Sequence, residues 1–459
     1  MANEVAIIGA GIAGLTLALS LHTQGISCAI YETRPEPQNI GGAVMLSPNS
    51  LRLFDGMGVY NDLKRHGFSF DTLYFRDLAG DLKETYPFGS VEKYGYSGLR
   101  VYRFQLIDLL LEEINANKIP IYFNHKFSHV VSESTDTVTW KFIDGTEKTS
   151  SLLIGADGIH SRVRKYMYPD LSPKFTGLAG ITAAVPTANL KLPSPEYAMP
   201  VTIISPTHGA FVIAPQKPDG SEVLVGKQKR MPELSREGYD QLYADKEAAV
   251  AFLREGSEVF GDIAVSATSD IPHAHINIWP FYIIPKLDSC SGQGISQAVE
   301  DVVMLAMLLG RGRSEKKDLG WWQEFRQARL QDILLLNARV DKRRLPKIMG
   351  SDEEDDSEQG FDLDWLYGLD VYATKTGQED KRDEEQVSRE EKRQMKRDRY
   401  SRRGNEKATP MLQQHHVPPT AAFEHTFAHL IERSRTEVKA SEERGKANAR
   451  LSSTRRRHL

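Results

Sequence analysis

Three glycines and one carboxylate near the start of the chain have the types and spacing that phosphate chemistry requires. Gly9, Gly11 and Gly14 stand at GxGxxG spacing and Glu32 follows them. In such a pattern the first glycine permits a sharp turn, the second lets a pyrophosphate approach the backbone, and the third lets a helix lie close to a strand. A carboxylate about 20 residues further on accepts hydrogen bonds from ribose hydroxyls. The chemistry expected is dinucleotide binding.

The elements that must position these groups are also written in the sequence. Val5 to Ile8 is a short β-branched run suited to a strand buried on both faces. A helix is expected from about Ile12 to Gln24, its free N–H groups and partial positive charge facing the phosphates, with Gly25 ending it. Ser27 to Tyr31 forms the next strand and delivers Glu32. A signal peptide is the competing reading of the apolar run from Val5 to Leu21. Against it, Glu4 stands where a basic region belongs, and no small-residue cleavage site follows.

With 459 residues, 40% of them hydrophobic, the chain can build two or more domains. A net charge of −4 gives it no strong pull toward nucleic acid or anionic membrane, and neither partner is expected. Its two cysteines, Cys28 and Cys290, argue for a reducing compartment, so a cytoplasmic location is expected. No apolar run approaches the roughly 18 residues of a membrane span. No metal site is expected.

Further along, Ser47 to Asn49 opens a helix whose Leu51, Leu53 and Phe54 face inward, and Asp71 to Pro87 alternates as a hairpin turning at Gly80-Asp81. Arg103 opens an apolar-faced helix. IPIYF, TVTWKFID and TSSLLIGAD are strand candidates, the last running into the loop GADGIHSRVR. From Lys174 to Pro280 the pattern is mostly β, with AGITAAV, PVTIISP, GAFVIAP and EVLVGKQ as strands and one helix near Tyr239 to Arg254. Helices follow over Gly292 to Leu309 and Trp321 to Arg344. An acidic linker leads to FDLDWLYGLDVY, which can dock its aromatics on the globular part, and charged low-complexity sequence begins after Thr376.

Four stretches in this order resemble the class A FAD-dependent monooxygenases, the family of para-hydroxybenzoate and salicylate hydroxylases and of fungal biosynthetic hydroxylases and epoxidases. They are GAGIAG at 9–14 with Glu32, RVYRFQLIDLL containing Arg103, GADGIHSRVR at 155–164, and GQGISQAVED at 292–301. WLYGLDVY is similar to a tail of the fungal branch. The resemblance covers roughly residues 3–372. It implies an α/β fold: a Rossmann-like FAD-binding domain with an inserted mostly-β substrate domain and a charged C-terminal tail. The corresponding boundaries are 1–173 for the first part of the FAD domain, with a substrate-domain hairpin near 71–100, and 174–280 for the substrate domain. The return helices take 281–350, the acidic linker and docking segment 351–376, and the tail, expected to be disordered, 377–459.

The resemblance also implies roles. Gly9, Gly11, Gly14 and Glu32 would hold the pyrophosphate and adenosine ribose of FAD, and Gly42 and Ala43 match a loop near the flavin. Arg103 matches an arginine on the FAD phosphate and ribityl region. A cation at a helix start is locally unfavourable, which favours that anion-binding role over an ordinary surface arginine. Asp157, supported by Ser161 and Arg164, matches a motif bearing on FAD and nicotinamide access, with capping of the following turn as the alternative. Gly292, Gln293, Gly294 and Ile295 match a helix N-terminus lying against the flavin pyrimidine edge. NADH or NADPH would supply electrons and dioxygen the oxygen atom. The substrate would be an aromatic or polyketide- or terpenoid-like small molecule, with secondary metabolism as the setting. No catalytic base is readable, since Tyr96, His208, His273 and His275 are as compatible with structural roles.

One departure stands out. Family members carry a strand ending in Gly-Asp before GQG, whereas this chain reads WPFYIIPKLDSCS and passes directly to GQGISQ. Either FYIIPKLD is a degenerate form of that strand with Asp288 as surrogate, or the strand is missing between Ser291 and Gly292. Pro285 would interrupt a central strand, which favours the second reading. A catalytically impaired flavoprotein-like form is therefore the alternative to an active enzyme.

Overall fold

The structure, a computed structural model, describes residues 4–37, 42–284, 294–311, 316–344 and 362–374. The tail expected over 377–459 and the linker before Asp362 lie outside these residues.

A four-stranded parallel sheet runs in the order Leu152–Gly155, Val5–Ile8, Cys28–Tyr31 and Ile121–Tyr122. Side chains alternate between faces along a strand, and here both faces are covered. Val5, Ile7, Cys28 and Ile30 join a core formed with helices Ile12–Thr23, Arg103–Ala116 and Gly294–Gly310. Ala6, Ile8, Ala29 and Tyr31 pack against Phe127, Trp140 and Phe142 of an antiparallel sheet made by Phe127–Glu133, Val138–Phe142 and Glu147–Ser150. Burial from two sides explains why these strands read as unbroken apolar runs.

The second large sheet has seven strands, ordered Ile276–Ile283, Lys174–Pro186, Glu222–Arg230, Gly209–Pro215, Val201–Ser205, Thr72–Arg76 and Leu82–Pro87. The hairpin at 72–87 thus adds to the sheet built from 174–283, through a parallel pairing of Thr72–Arg76 with Val201–Ser205. One face packs on helices Lys246–Arg254 and Asp262–Ala267 through Ile181, Val225, Leu253 and Ile263. A small sheet of Ala43–Leu46, Gly98–Tyr102 and Phe68–Phe70 lies between the helices of the parallel sheet and the seven-stranded sheet.

One expectation needs correction. The single helix near Tyr239 to Arg254 is two, Arg236–Ala244 and Lys246–Arg254, because the Asp245 side chain caps the second by accepting from the Ala248 N–H at 2.9 Å. FYI does not enter the parallel sheet. It ends Ile276–Ile283, which pairs antiparallel with Lys174–Pro186 at the edge of the seven-stranded sheet, and residues 285–288 lie outside the described residues. Asp288 lies outside the described residues. The docking of the aromatic segment holds: Leu363, Leu366, Tyr367 and Val371 are buried. Arg52 donates to the carbonyls of Tyr367 and Leu369, and Arg329 to those of Trp365 and Leu366.

Candidate functional site

The turn between Val5–Ile8 and Ile12–Thr23 is set by close contact. Gly9 has φ +110°, and a Cβ there would lie 2.5 Å from the Ala156 carbonyl oxygen. At Gly14 a Cβ would lie 2.0 Å from the Gly9 carbonyl oxygen, so no larger residue lets this helix approach its strand. Gly11 differs. A Cβ there meets nothing within 4 Å, because the turn faces open space.

That space is a cavity of about 120 Å³ lined by Ala10, Gly11, Glu32, Arg34, Arg103 and Trp279, among others. Glu32 forms one wall. Its carboxylate accepts from the Ala10 N–H at 2.8 Å and the Arg34 N–H at 2.9 Å, which fixes its orientation and leaves lone pairs for hydroxyl donors. The Ile12–Thr23 helix has no side-chain cap and no acid in its first turn, so its leading N–H groups remain available. Arg103 enters from its own helix with its guanidinium 6.0 Å from the Trp279 ring centroid, and among the described residues no carboxylate pairs with it. Burial and the neighbouring Arg34 cation push its pKa below the usual arginine value. Two cations and free helix N–H groups around one cavity suit a pyrophosphate, and Glu32 suits a ribose.

Gly42 joins this group, since its carbonyl accepts from the Arg103 N–H at 3.3 Å, and Ala43 begins the strand in register with Tyr102. Asp157 follows Ala156 at the Gly9 contact. One carboxylate oxygen accepts from the N–H groups of Arg162 and Val163, and so caps the helix Arg162–Met167 as the alternative reading had it. Its other oxygen is buried without a partner. Ser161 caps the same helix, while Arg164 donates to the Gly158 and Ile159 carbonyls and holds the loop closed. Gly294 and Ile295 begin the helix Gly294–Gly310, and Gly292 and Gln293 lie outside the described residues. Tyr96 bonds Asp55, His208 bonds Thr207, and His273 faces Glu247, so each has a local structural partner. His275 sits in a short 3₁₀ turn.

Sequence reasoning missed a buried charge cluster. Glu300 is fully buried on the helix Gly294–Gly310 and receives both Arg326 and Arg329, with Asn49 donating at 2.6 Å. Burial raises the Glu300 carboxyl, but the two guanidinium groups outweigh it and hold it at about 2. Beside it the hydroxyls of Ser47 and Ser50 each lie 3.0 Å from that of Ser296. The signal was present: a glutamate on the apolar face of one helix and two arginines three apart on the next. Asn277 and Trp279 were also missed, because strand register alone brings them beside Gly42 and Arg103.

The model of a family described as an FAD binding domain matches residues 2–275. A 3-amino-4-hydroxybenzoate 2-monooxygenase of Streptomyces platensis is 29% identical, over 72% of this chain and 85% of its own. An FAD-dependent monooxygenase of Aspergillus calidoustus is 28% identical, over 67% and 71%. Among solved structures, CtdE in complex with FAD and a substrate superposes with a TM-score of 0.62 at 20% identity, covering 80% of this chain and 95% of that one.

Proposed function

Because the chain belongs to the FAD-binding-domain family of class A flavin monooxygenases, we propose that it draws electrons from NADH or NADPH to oxygenate a small aromatic molecule with dioxygen. Secondary metabolism and the cytoplasm are its proposed setting, and no helix among the described residues is long and apolar enough to cross a membrane. The observation that carries the reading is the convergence of Gly11, Glu32, Arg34 and Arg103 on one cavity beside free helix N–H groups.

When bound, FAD supplies electron transfer from a nicotinamide and activation of dioxygen. The chain's residues do the rest. Gly9 and Gly14 let the turn and its helix pack tightly on the strand, Gly11 admits the pyrophosphate, Arg103 balances its charge, and Glu32 orients the ribose through its hydroxyls. Gly42 and Ala43 carry the adjoining wall toward Tyr102. Residues Gly292, Gln293, Gly294 and Ile295 are assigned to the flavin ring, and Asp157 to fixing the loop beside Gly9. Residues 174–280 with the hairpin near 71–100 form the substrate domain, which excludes water from the reaction. The test is direct: purified protein should be yellow and should consume NADH or NADPH in the presence of aminohydroxybenzoates. A colourless protein that takes up no added FAD ends this reading.

A second reading has its own observation. Leu152–Gly155 is an apolar strand of a parallel sheet, yet among the described residues it pairs on one side only and is partly rather than fully buried. A chain lacking the strand that covers this edge would bind the adenosine half of FAD and turn nothing over. It predicts that ADP binds while added NADPH is not oxidised with any substrate. Transcript sequencing across the Ser291–Gly292 junction separates the two, since an intact Gly-Asp segment in the message rules out a deletion.

A further inference from the structure

On the strand Ile276–Ile283, Ile276 and Ile278 turn toward the helices packed on the seven-stranded sheet and are 5% and 7% exposed. Alternation therefore sends Asn277 and Trp279 to the opposite face. Two residues from remote parts of the chain meet them there. A Cβ on Gly42 would lie 3.6 Å from Asn277 Nδ2, and the Arg103 guanidinium lies over the Trp279 ring, 6.0 Å from its centroid. The Arg103 N–H donates to the Gly42 carbonyl, so the two contacts form one seam. Through Trp279 the edge of the seven-stranded sheet thus becomes a wall of the cavity that also holds Gly11 and Glu32.

The partner an arginine has decides how much of its charge is left for a ligand. Arg329 also lies over an indole, 5.8 Å from the Trp365 ring centroid, but Glu300 answers its charge. Arg103 has a ring and, among the described residues, no carboxylate. Glu32, in the same cavity, is turned to the N–H groups of Ala10 and Arg34. An aromatic face attracts a cation and restrains it without neutralising it. Burial and the like charge of Arg34 both work against the Arg103 cation, so the ring is the one neighbour named here that favours it. Arg103 opens its helix, and Ile107 and Leu111 follow it at four-residue steps along the same cavity wall. On this wall the charge is therefore concentrated at the Trp279 end.

We propose that Trp279 is a positioning residue for Arg103: its indole holds the guanidinium on the cavity wall and leaves the charge free for the pyrophosphate of a dinucleotide. A carboxylate in its place would hold the arginine equally well and cancel it. That the anion is a pyrophosphate rests on the FAD reading of the cavity; the pairing of ring and cation does not.

Calorimetric titration of the full-length protein, dialysed free of bound flavin, with ADP and adenosine tests it, because adenosine keeps the base and ribose and loses the phosphates. Wild type should bind ADP at least about tenfold more tightly than adenosine. Trp279→Leu should weaken ADP about fivefold and leave adenosine unchanged, and Trp279→Phe should restore most of the loss. Trp279→Glu should weaken ADP further than Trp279→Leu, since it gives Arg103 a counter-ion. In an Arg103→Ala background Trp279→Leu should change nothing more. Trp279 is 49% exposed, so Tm should hold throughout. An unchanged ADP affinity in Trp279→Leu, an equal loss for ADP and adenosine, or a loss that persists in the Arg103→Ala background each overturns the proposal and leaves the FAD reading standing. Wild type that binds no ADP at millimolar concentration removes both.

Discussion

Val5–Ile8 and Leu152–Gly155 are neighbours in one parallel sheet, and as four-residue strings, VAII and LLIG, they are nearly interchangeable. Their surroundings are not. Val5–Ile8 has a strand on each side and every residue buried, whereas Leu152–Gly155 has a described partner only at Val5–Ile8, three half-buried residues and an exposed glycine. The difference shows that an apolar run states a demand for cover without stating whether the chain meets it. It also divides the proposed cofactor site. The glycine turn, Glu32 and Arg103 stand on the closed side, while Gly292 and Gln293 belong to a stretch outside the described residues.

The largest expected effect lies in the cluster that ties Gly294–Gly310 to the closed side. Glu300→Ala leaves Arg326 and Arg329 buried without their carboxylate and should cost about 3–5 kcal/mol in urea unfolding. A loss under about 1 kcal/mol would mean that this helix is not locked to the sheet through its charges. The same group sets a pH window. Its folded pKa of about 2 lies below the ordinary 4.5, so its contribution is complete above about pH 4.5 and disappears as pH falls toward 2. The urea midpoint of wild type should drop through that window, and Glu300→Gln should flatten the drop.

A direct contrast of the two strands comes next. Ile7 is fully buried and Ile154 only partly buried, so Ile7→Ala should cost about 2–5 kcal/mol and Ile154→Ala less, about 1 kcal/mol. Equal losses would show that the open edge is covered in solution, and the impaired-form reading would then fail. The smallest effect on folding is expected at the turn. Gly11→Val places its side chain in open space, so Tm should hold while FAD affinity falls at least about tenfold. Gly14→Ala should lose both, because its Cβ collides with the Gly9 carbonyl.

Much of this was legible in advance. The glycine turn, the helix Pro48–Gly56 with Leu51, Leu53 and Phe54 inside, the hairpin at 72–87 and the docked Leu366-Tyr367 pair are local patterns that carry their own partners in the sequence. The failure was of another kind. The break at Asp245 was hidden because a capping aspartate between two helices resembles any exposed helical acid. The sheet that FYI joins was left open by the sequence, because an apolar run of that length fits either sheet and its pairing with Lys174–Pro186 is a contact across about a hundred residues.

By itself the sequence determined that a tight glycine turn exists, which residues build it, and that Glu32 follows the strand behind it. Those are consequences of short-range sterics and of backbone N–H groups that a helix start leaves free. Only the tertiary structure decided which charges are answered. Glu300 finds two arginines from another helix, Arg103 and Arg34 share a cavity with Glu32, and Arg100 is buried with no counter-ion among the described residues. Charge pairing depends on distances between segments remote in the chain, and those are fixed only when sheets and helices pack.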